Sequence, residues 1–136
     1  MLRKTLMVLL LTCGVLNAAC ADEREDAARE AVSSWLTLVD DGDYPASWRE
    51  AAGPIKAQIA QDKWTKFVAE VRAAQGAVRT RRLSTVTPSL NPRGALRGEY
   101  FTFVFQTEFE KKADAAETLM LMLDDGVWRV SSYMIR

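Results

Sequence analysis

The chain has 136 residues, 49% of them hydrophobic and 26% charged, with 18 basic and 18 acidic side chains. That is one domain's length, and it is too apolar for intrinsic disorder. A formal net charge of zero leaves no overall basic field for nucleic acid or an anionic membrane. The histidine count of zero removes Ser-His-Asp and Cys-His nucleophile systems and histidine-ligated zinc sites.

The first 21 residues read as an export signal. Arg3 and Lys4 are their only charges, Leu6 to Leu11 is unbroken apolar, and Ala19-Cys20-Ala21 fits cleavage before Asp22. The apolar run is far short of the ~20 residues of a spanning helix. Cys20 after Ala18-Ala19 opens a second option, lipidation of that cysteine, although Asn17 stands where lipoprotein signals place Leu. A cut after Ala21 removes both cysteines and predicts a disulfide-free domain, periplasmic or secreted; lipidation at Cys20 would anchor it to a membrane. Losing Arg3 and Lys4 leaves 16 basic against 18 acidic residues, a net charge of −2.

Residues 22–136 form a single predicted domain. Ala28, Val32, Trp35 and Val39 recur at helical spacing, with Ala31 and Leu36 beside them. Asp22 is the predicted cap of this helix, with Glu25 completing a capping box, and Gly42 its stop. Pro45 starts a second short helix that Gly53-Pro54 breaks. Asp62 is predicted to cap a third, whose stripe is Trp64, Phe67, Val68 and Val71 and whose end is Gly76.

After Gly76 the period becomes two. Residues 78–87 read as a strand and 88–98 as an exposed connection. Residues 100–109 give the strongest strand, with Phe101, Phe103, Phe105 and Phe109 on one side. Residues 117–123 form a third strand, Asp125-Gly126 a two-residue hairpin turn, and residues 127–135 the fourth strand. The fold class is therefore α+β: three N-terminal helices packed on a curled antiparallel sheet of about four strands. A curled sheet closed by a helix makes a cone with an open end, where a ligand would sit.

The spacing Trp35-x4-Asp40-x-Gly42-x-Tyr44-x2-Ser47-Trp48 is unusual, as are Gly98-Glu99-Tyr100, Glu117, Asp125-Gly126-x-Trp128-Arg129-Val130 and Tyr133-x-Ile135. With Trp64, Arg72 and Gly76, these resemble the bacterial exported-protein family of unknown function numbered 4019, over residues 28–136. The resemblance implies a small envelope protein of cystatin-like or nuclear-transport-factor-2-like shape. It implies no reaction, because that family carries no assigned activity.

Each candidate site has two readings. Asp40 with Tyr44 or Tyr133 could supply a carboxylate base and an oxyanion donor; Asp40, Asp41 and Asp43 around Gly42 otherwise serve helix ends and turns. Calcium is disfavoured there, since the loop lacks alternate-position oxygens and a bidentate Glu. Trp35, Trp48, Trp64 and Trp128 are core filler or an aromatic box, with Trp48 the least settled. Arg79, Arg81, Arg82, Arg93 and Arg97 form an anion site or a solvated edge strand answered by Glu99, Glu108 and Glu110. Glu117 and Arg129 flank the last hairpin turn out of direct register, so register gives no support to a buried charge pair between them. Met120, Met122 and Met134 fill the core or line the cone, and Tyr100 joins Met120, Met122 and Trp48 as candidate ligand contacts. No metal cluster, phosphate loop or nucleophile elbow is present, and no cofactor is expected. The preferred expectation is a non-catalytic binding module for a small apolar ligand or a protein; the apolar residues on both faces of residues 100–109 either serve a homodimer through the sheet or line the cone. The alternative is a pocket enzyme of isomerase or hydratase type.

Overall fold

The computed structural model describes residues 13–136. The apolar start of the expected signal lies outside the described residues. Four helices, α1 (Cys13–Asp40), α2 (Tyr44–Glu50), α3 (Gly53–Gln58) and α4 (Gln61–Gln75), precede four strands, β1 (Val78–Leu90), β2 (Glu99–Phe109), β3 (Lys112–Asp124) and β4 (Val127–Ile135). The strands make one antiparallel sheet in the order β1-β2-β3-β4. Register shifts fall at Leu83/Thr85 on β1 and Met120/Leu121 on β3, and such bulges sharpen the bend of the sheet over its helices. The α+β architecture read from the sequence is therefore present, with one extra short helix.

The alternation on β2 decides the inner face. Phe101, Phe103, Phe105 and Phe109 are all buried, and Leu119, Leu121 and Val130 complete their layer from β3 and β4. A fully buried Phe or Leu contributes about 1.5–3 kcal/mol over an exposed one. Helix α1 lays Ala28, Val32, Trp35, Leu36 and Val39 on this face. Trp35 meets Trp64 of α4 edge-on at 6.4 Å and Tyr133 of β4 at 5.1 Å.

Ser47 pins the helices together. Its carbonyl accepts the Trp35 indole N–H at 2.9 Å, and its hydroxyl accepts the Trp64 indole N–H at 3.0 Å while donating to the Tyr44 carbonyl. Trp48 donates to the Ile59 carbonyl at 2.8 Å. These three tryptophans thus satisfy their N–H groups within the fold, as core residues do.

Several local expectations change. Asp22 is no cap, because α1 runs unbroken from Cys13 through the small residues 18–21, which favour helix. Glu25 pairs instead with Arg29 one turn on. Asp43 caps α2 by accepting the Ala46 N–H. Gly53-Pro54 starts α3 rather than only ending α2, and Ala60, not Asp62, precedes α4. Phe67 is 52% exposed and Met134 40%, because α4 turns Trp64, Val68 and Arg72 inward and Met134 lies on the outer face of β4. Strand β1 continues through Pro88 to Leu90, where Pro is tolerated because β1 is an edge strand. Strand β3 begins at Lys112, ahead of the expected start.

Gly76 permits a close approach. Its φ is +78°, and a Cβ there would lie 2.9 Å from Glu110 Cβ. The end of α4 is thereby brought against the β2–β3 turn, which helps place Arg72 beside the sheet.

Candidate functional site

Four polar side chains stand in phase with the apolar core. On β3, Ala115, Glu117, Leu119 and Leu121 alternate inward, so Glu117 is fully buried. On β2, Thr107 sits between Phe105 and Phe109 and is also fully buried. On α4, Arg72 follows Trp64 and Val68 at steps of four and is 6% exposed. On β1, Arg81 lies two residues before the inward Leu83.

A buried carboxylate is costly unless each oxygen finds donors. Glu117 finds four. Arg81 donates Nε to Oε1 at 2.7 Å and Nη2 to Oε2 at 3.2 Å; Thr107 Oγ1 donates to Oε1 at 2.6 Å; the Tyr133 hydroxyl donates to Oε2 at 2.6 Å. Arg81 then reaches Asp40 at the end of α1, Nη1 to Oδ2 at 2.6 Å and Nη2 to Oδ1 at 3.0 Å. Arg72 donates Nη1 to Asp40 Oδ1 at 2.9 Å, with its guanidinium carbon 5.4 Å from the Phe109 ring centre. Two carboxylates and two guanidiniums thus tie α1, α4, β1 and β3 into one network whose formal charges cancel.

The ionisation of the members follows from this geometry. Burial alone would raise the Asp40 pKa, but hydrogen bonds and charge from Arg81, then Arg72, outweigh it and hold Asp40 below the ordinary carboxylate value. Burial first, then the Glu117 charge and hydrogen bond, push the Tyr133 hydroxyl well above its usual value. Arg81 is raised, as Asp40 and Glu117 together outweigh its desolvation. A carboxylate held low is a weak base, and a phenol held high keeps its proton.

Asp40 and Tyr133 therefore join one network, with Glu117 and Arg81 between them. Tyr44 packs on the core and, with Asp40 and Arg72, lines a cleft of about 270 Å³. Glu117 does not border that cleft. Trp48 is half-buried against the core. Tyr100, Met120 and Met122 lie on the opposite face of the sheet, where Tyr100 and Met122 pack with Ala52 rather than inside the cone. Cys20 is exposed on α1. Arg129 meets Glu50 at 3.5 Å, and Glu99 meets Arg24 at 2.5 Å, so neither completes the pairing considered from the sequence. Among the described residues no group of three Cys, Asp or Glu side chains could hold a metal.

A larger cleft of about 480 Å³ opens where the ends of β1, β2 and β4 meet α1. Its apolar lining is Pro88, Leu90, Tyr100, Phe101 and Trp128, and the Arg24–Glu99 pair spans its rim from helix to sheet. Leu90 is 71% exposed.

Residues 31–133 match the family model described as Protein of unknown function (DUF4019). The chain belongs to that family. No curated protein matches the chain. The DUF4019 match spans all six members of the buried network, from Asp40 to Tyr133. Of the cleft lining, Ala21, Asp22, Arg24 and Glu25 precede it.

Arg72, Thr107 and Glu117 were not read as site residues from the sequence, and Arg81 was read only as one of a group of arginines. Their signal was phase: each is a polar residue at a position whose helical or strand period points inward.

Proposed function

We propose that this domain is an exported, non-catalytic binding module of the cell envelope that takes a small apolar ligand in the 480 Å³ cleft between α1 and the sheet, whose lining loses only Ala21 on a cut before Asp22. The observation that carries the reading is the saturation of Glu117. A carboxylate has about four acceptor sites, and those of Glu117 are occupied by Arg81, Thr107 and Tyr133. The best-buried ionisable group is thus spent on joining secondary-structure elements. The cleft, by contrast, has the size and mostly apolar lining of a small-molecule site. Export rests on the basic start, apolar run and small-residue end of residues 1–21.

Titration with the neutral apolar fluorophore N-phenyl-1-naphthylamine tests the cleft. Saturable one-to-one binding is expected, weakened at least tenfold by Leu90→Arg, whose side chain is too exposed for the change to disturb the fold. Absence of saturable binding, or equal affinity in the variant, overturns the reading. Mass spectrometry of the mature N-terminus tests export: an unmodified Asp22 start supports the periplasmic or secreted form and excludes the Cys20 lipoprotein.

A second reading keeps the pocket enzyme, because Asp40 and Tyr44 share the 270 Å³ cleft. The lowered Asp40 pKa weighs against it, since a proton-abstracting carboxylate gains from a raised one.

A further inference from the structure

The sheet has two edges, and they are built differently. Strand β1 carries Arg79, Arg82, Pro88 and a bulge at Leu83/Thr85, all of which discourage pairing with another strand. Strand β4 reads Val130-Ser131-Ser132-Tyr133-Met134-Ile135 over its second half, with no charge and no proline. Up to Val130 the β4 edge is used within the chain. The Val130 carbonyl accepts the Ala52 N–H at 2.8 Å, and Arg129 meets Glu50. Beyond the bulge at Ser131 the edge is bare.

The ladder fixes which backbone groups are free. Ala116 and Arg136 exchange both hydrogen bonds, at 2.9 and 3.0 Å. In an antiparallel ladder such pairs alternate with pairs that point away from each other. Met134 opposite Thr118 and Ser132 opposite Met120 therefore bond to β3, while Tyr133 and Ile135 turn their N–H and C=O groups outward. Among the described residues, no cap, turn or side-chain hydrogen bond reaches those backbone groups. The neighbouring side chains are also short of cover. Met134 is exposed on the outer face, and exposed Phe67 shares a cleft of about 410 Å³ with Trp64 and Tyr133.

We propose that β4 pairs with β4 of a second copy, antiparallel about a two-fold axis at Met134, to join the two sheets into one. In that register Tyr133 stands opposite Ile135 of the second copy, and each such pair exchanges two backbone hydrogen bonds. Every free group on both edges is then used. Met134 meets its own counterpart on the outer face, and Ile135 of the second copy comes beside Tyr133 on the face that carries the Trp64–Phe67 cleft. No like charges meet, because Ser132 stands opposite Arg136 of the second copy. A lipid or a small apolar ligand would leave these donors and acceptors unpaired, whereas a strand satisfies them. This edge is its own complement. The assembly also closes: the two edges that remain are copies of β1, guarded by arginine and proline, so pairing stops at a dimer.

Sedimentation equilibrium on the purified protein tests this. A monomer–dimer equilibrium is expected, with no larger species. Ile135→Pro deletes an N–H that β3 does not use, so it should weaken the dimer at least tenfold and leave the circular dichroism of the fold unchanged. Met134→Lys sets two like charges together at the axis and should also weaken it at least tenfold. Val104→Arg, on the outer face of β2 and away from the edge, should leave the dissociation constant unchanged. Hydrogen exchange needs no variant: the Tyr133 and Ile135 amides should exchange at least tenfold more slowly in the dimer than in the dilute monomer. A monomer at every concentration overturns the proposal and leaves the edge to a strand of another protein. A dimer dissociated by Val104→Arg but not by Ile135→Pro overturns it in favour of the outer face of the sheet. Open oligomers, or two amides that stay fast in the dimer, overturn it as well.

Discussion

Arg81 and Glu117 meet across an intervening strand: the guanidinium reaches from β1 over β2 to both carboxylate oxygens on β3, at 2.7 and 3.2 Å. In register, Arg81 stands opposite Thr107 and Glu117 opposite Phe105. The contact is therefore diagonal, and Thr107 fills the step between them by donating to the same Glu117 oxygen that accepts Arg81 Nε.

Glu117→Gln should be strongly destabilising although it keeps the side-chain shape. It removes the charge that balances buried Arg81 and places an NH₂ against donors. Breaking one partner of a buried pair typically costs about 3–5 kcal/mol. Urea denaturation measures it, and a loss below about 1 kcal/mol would show that the network contributes little to folding.

The network also predicts both limbs of the stability curve against pH. Asp40 has a lowered folded pKa, so its contribution is present above its unfolded pKa near 3.8 and is lost as pH falls through the lower folded value. Tyr133 has a raised one. From about pH 10 upward the unfolded chain loses that proton while the folded chain keeps it, so stability falls as pH rises. Tyr133→Phe should remove its share of this alkaline decline. At neutral pH it should cost about 1–3 kcal/mol by taking one donor from a buried acceptor. A parent-like alkaline slope in the variant would place that titration elsewhere.

Ser47→Ala should cost about 1–3 kcal/mol, because the Trp64 indole N–H loses its acceptor in a buried setting. Thr37→Ala is the matched control. Its hydroxyl donates to Ser33 on an exposed helix face, and its loss should change stability by less than about 0.5 kcal/mol. Thermal melts of the pair measure the difference, and equal effects would deny Ser47 its role between α1, α2 and α4.

Much of the fold was legible because its signals are local. The Phe101–Phe103–Phe105 alternation, the Asp125-Gly126 turn and the Ala28–Val32–Trp35–Val39 stripe each need only a few neighbouring residues to be read. Both turn residues adopt positive φ, +51° and +81°, as such a hairpin demands. The stripe on α4 was read one position off. Phe67 looked like core by its chemistry, yet the helix rotates Arg72 inward toward Asp40 and leaves Phe67 at the surface. The cluster of arginines was legible as a group, but not which one turns in. Arg81 alone has Glu117 within reach, and the two are separated by 36 residues.

Composition and period alone thus determined the class of fold, the order of helices before strands, the aromatic face of the sheet and its final hairpin. Those follow from backbone geometry repeating every 3.6 or two residues, which any short window of the chain expresses. Tertiary structure decided which polar residues are buried, because a charge enters the core only where several distant segments bring it donors at once.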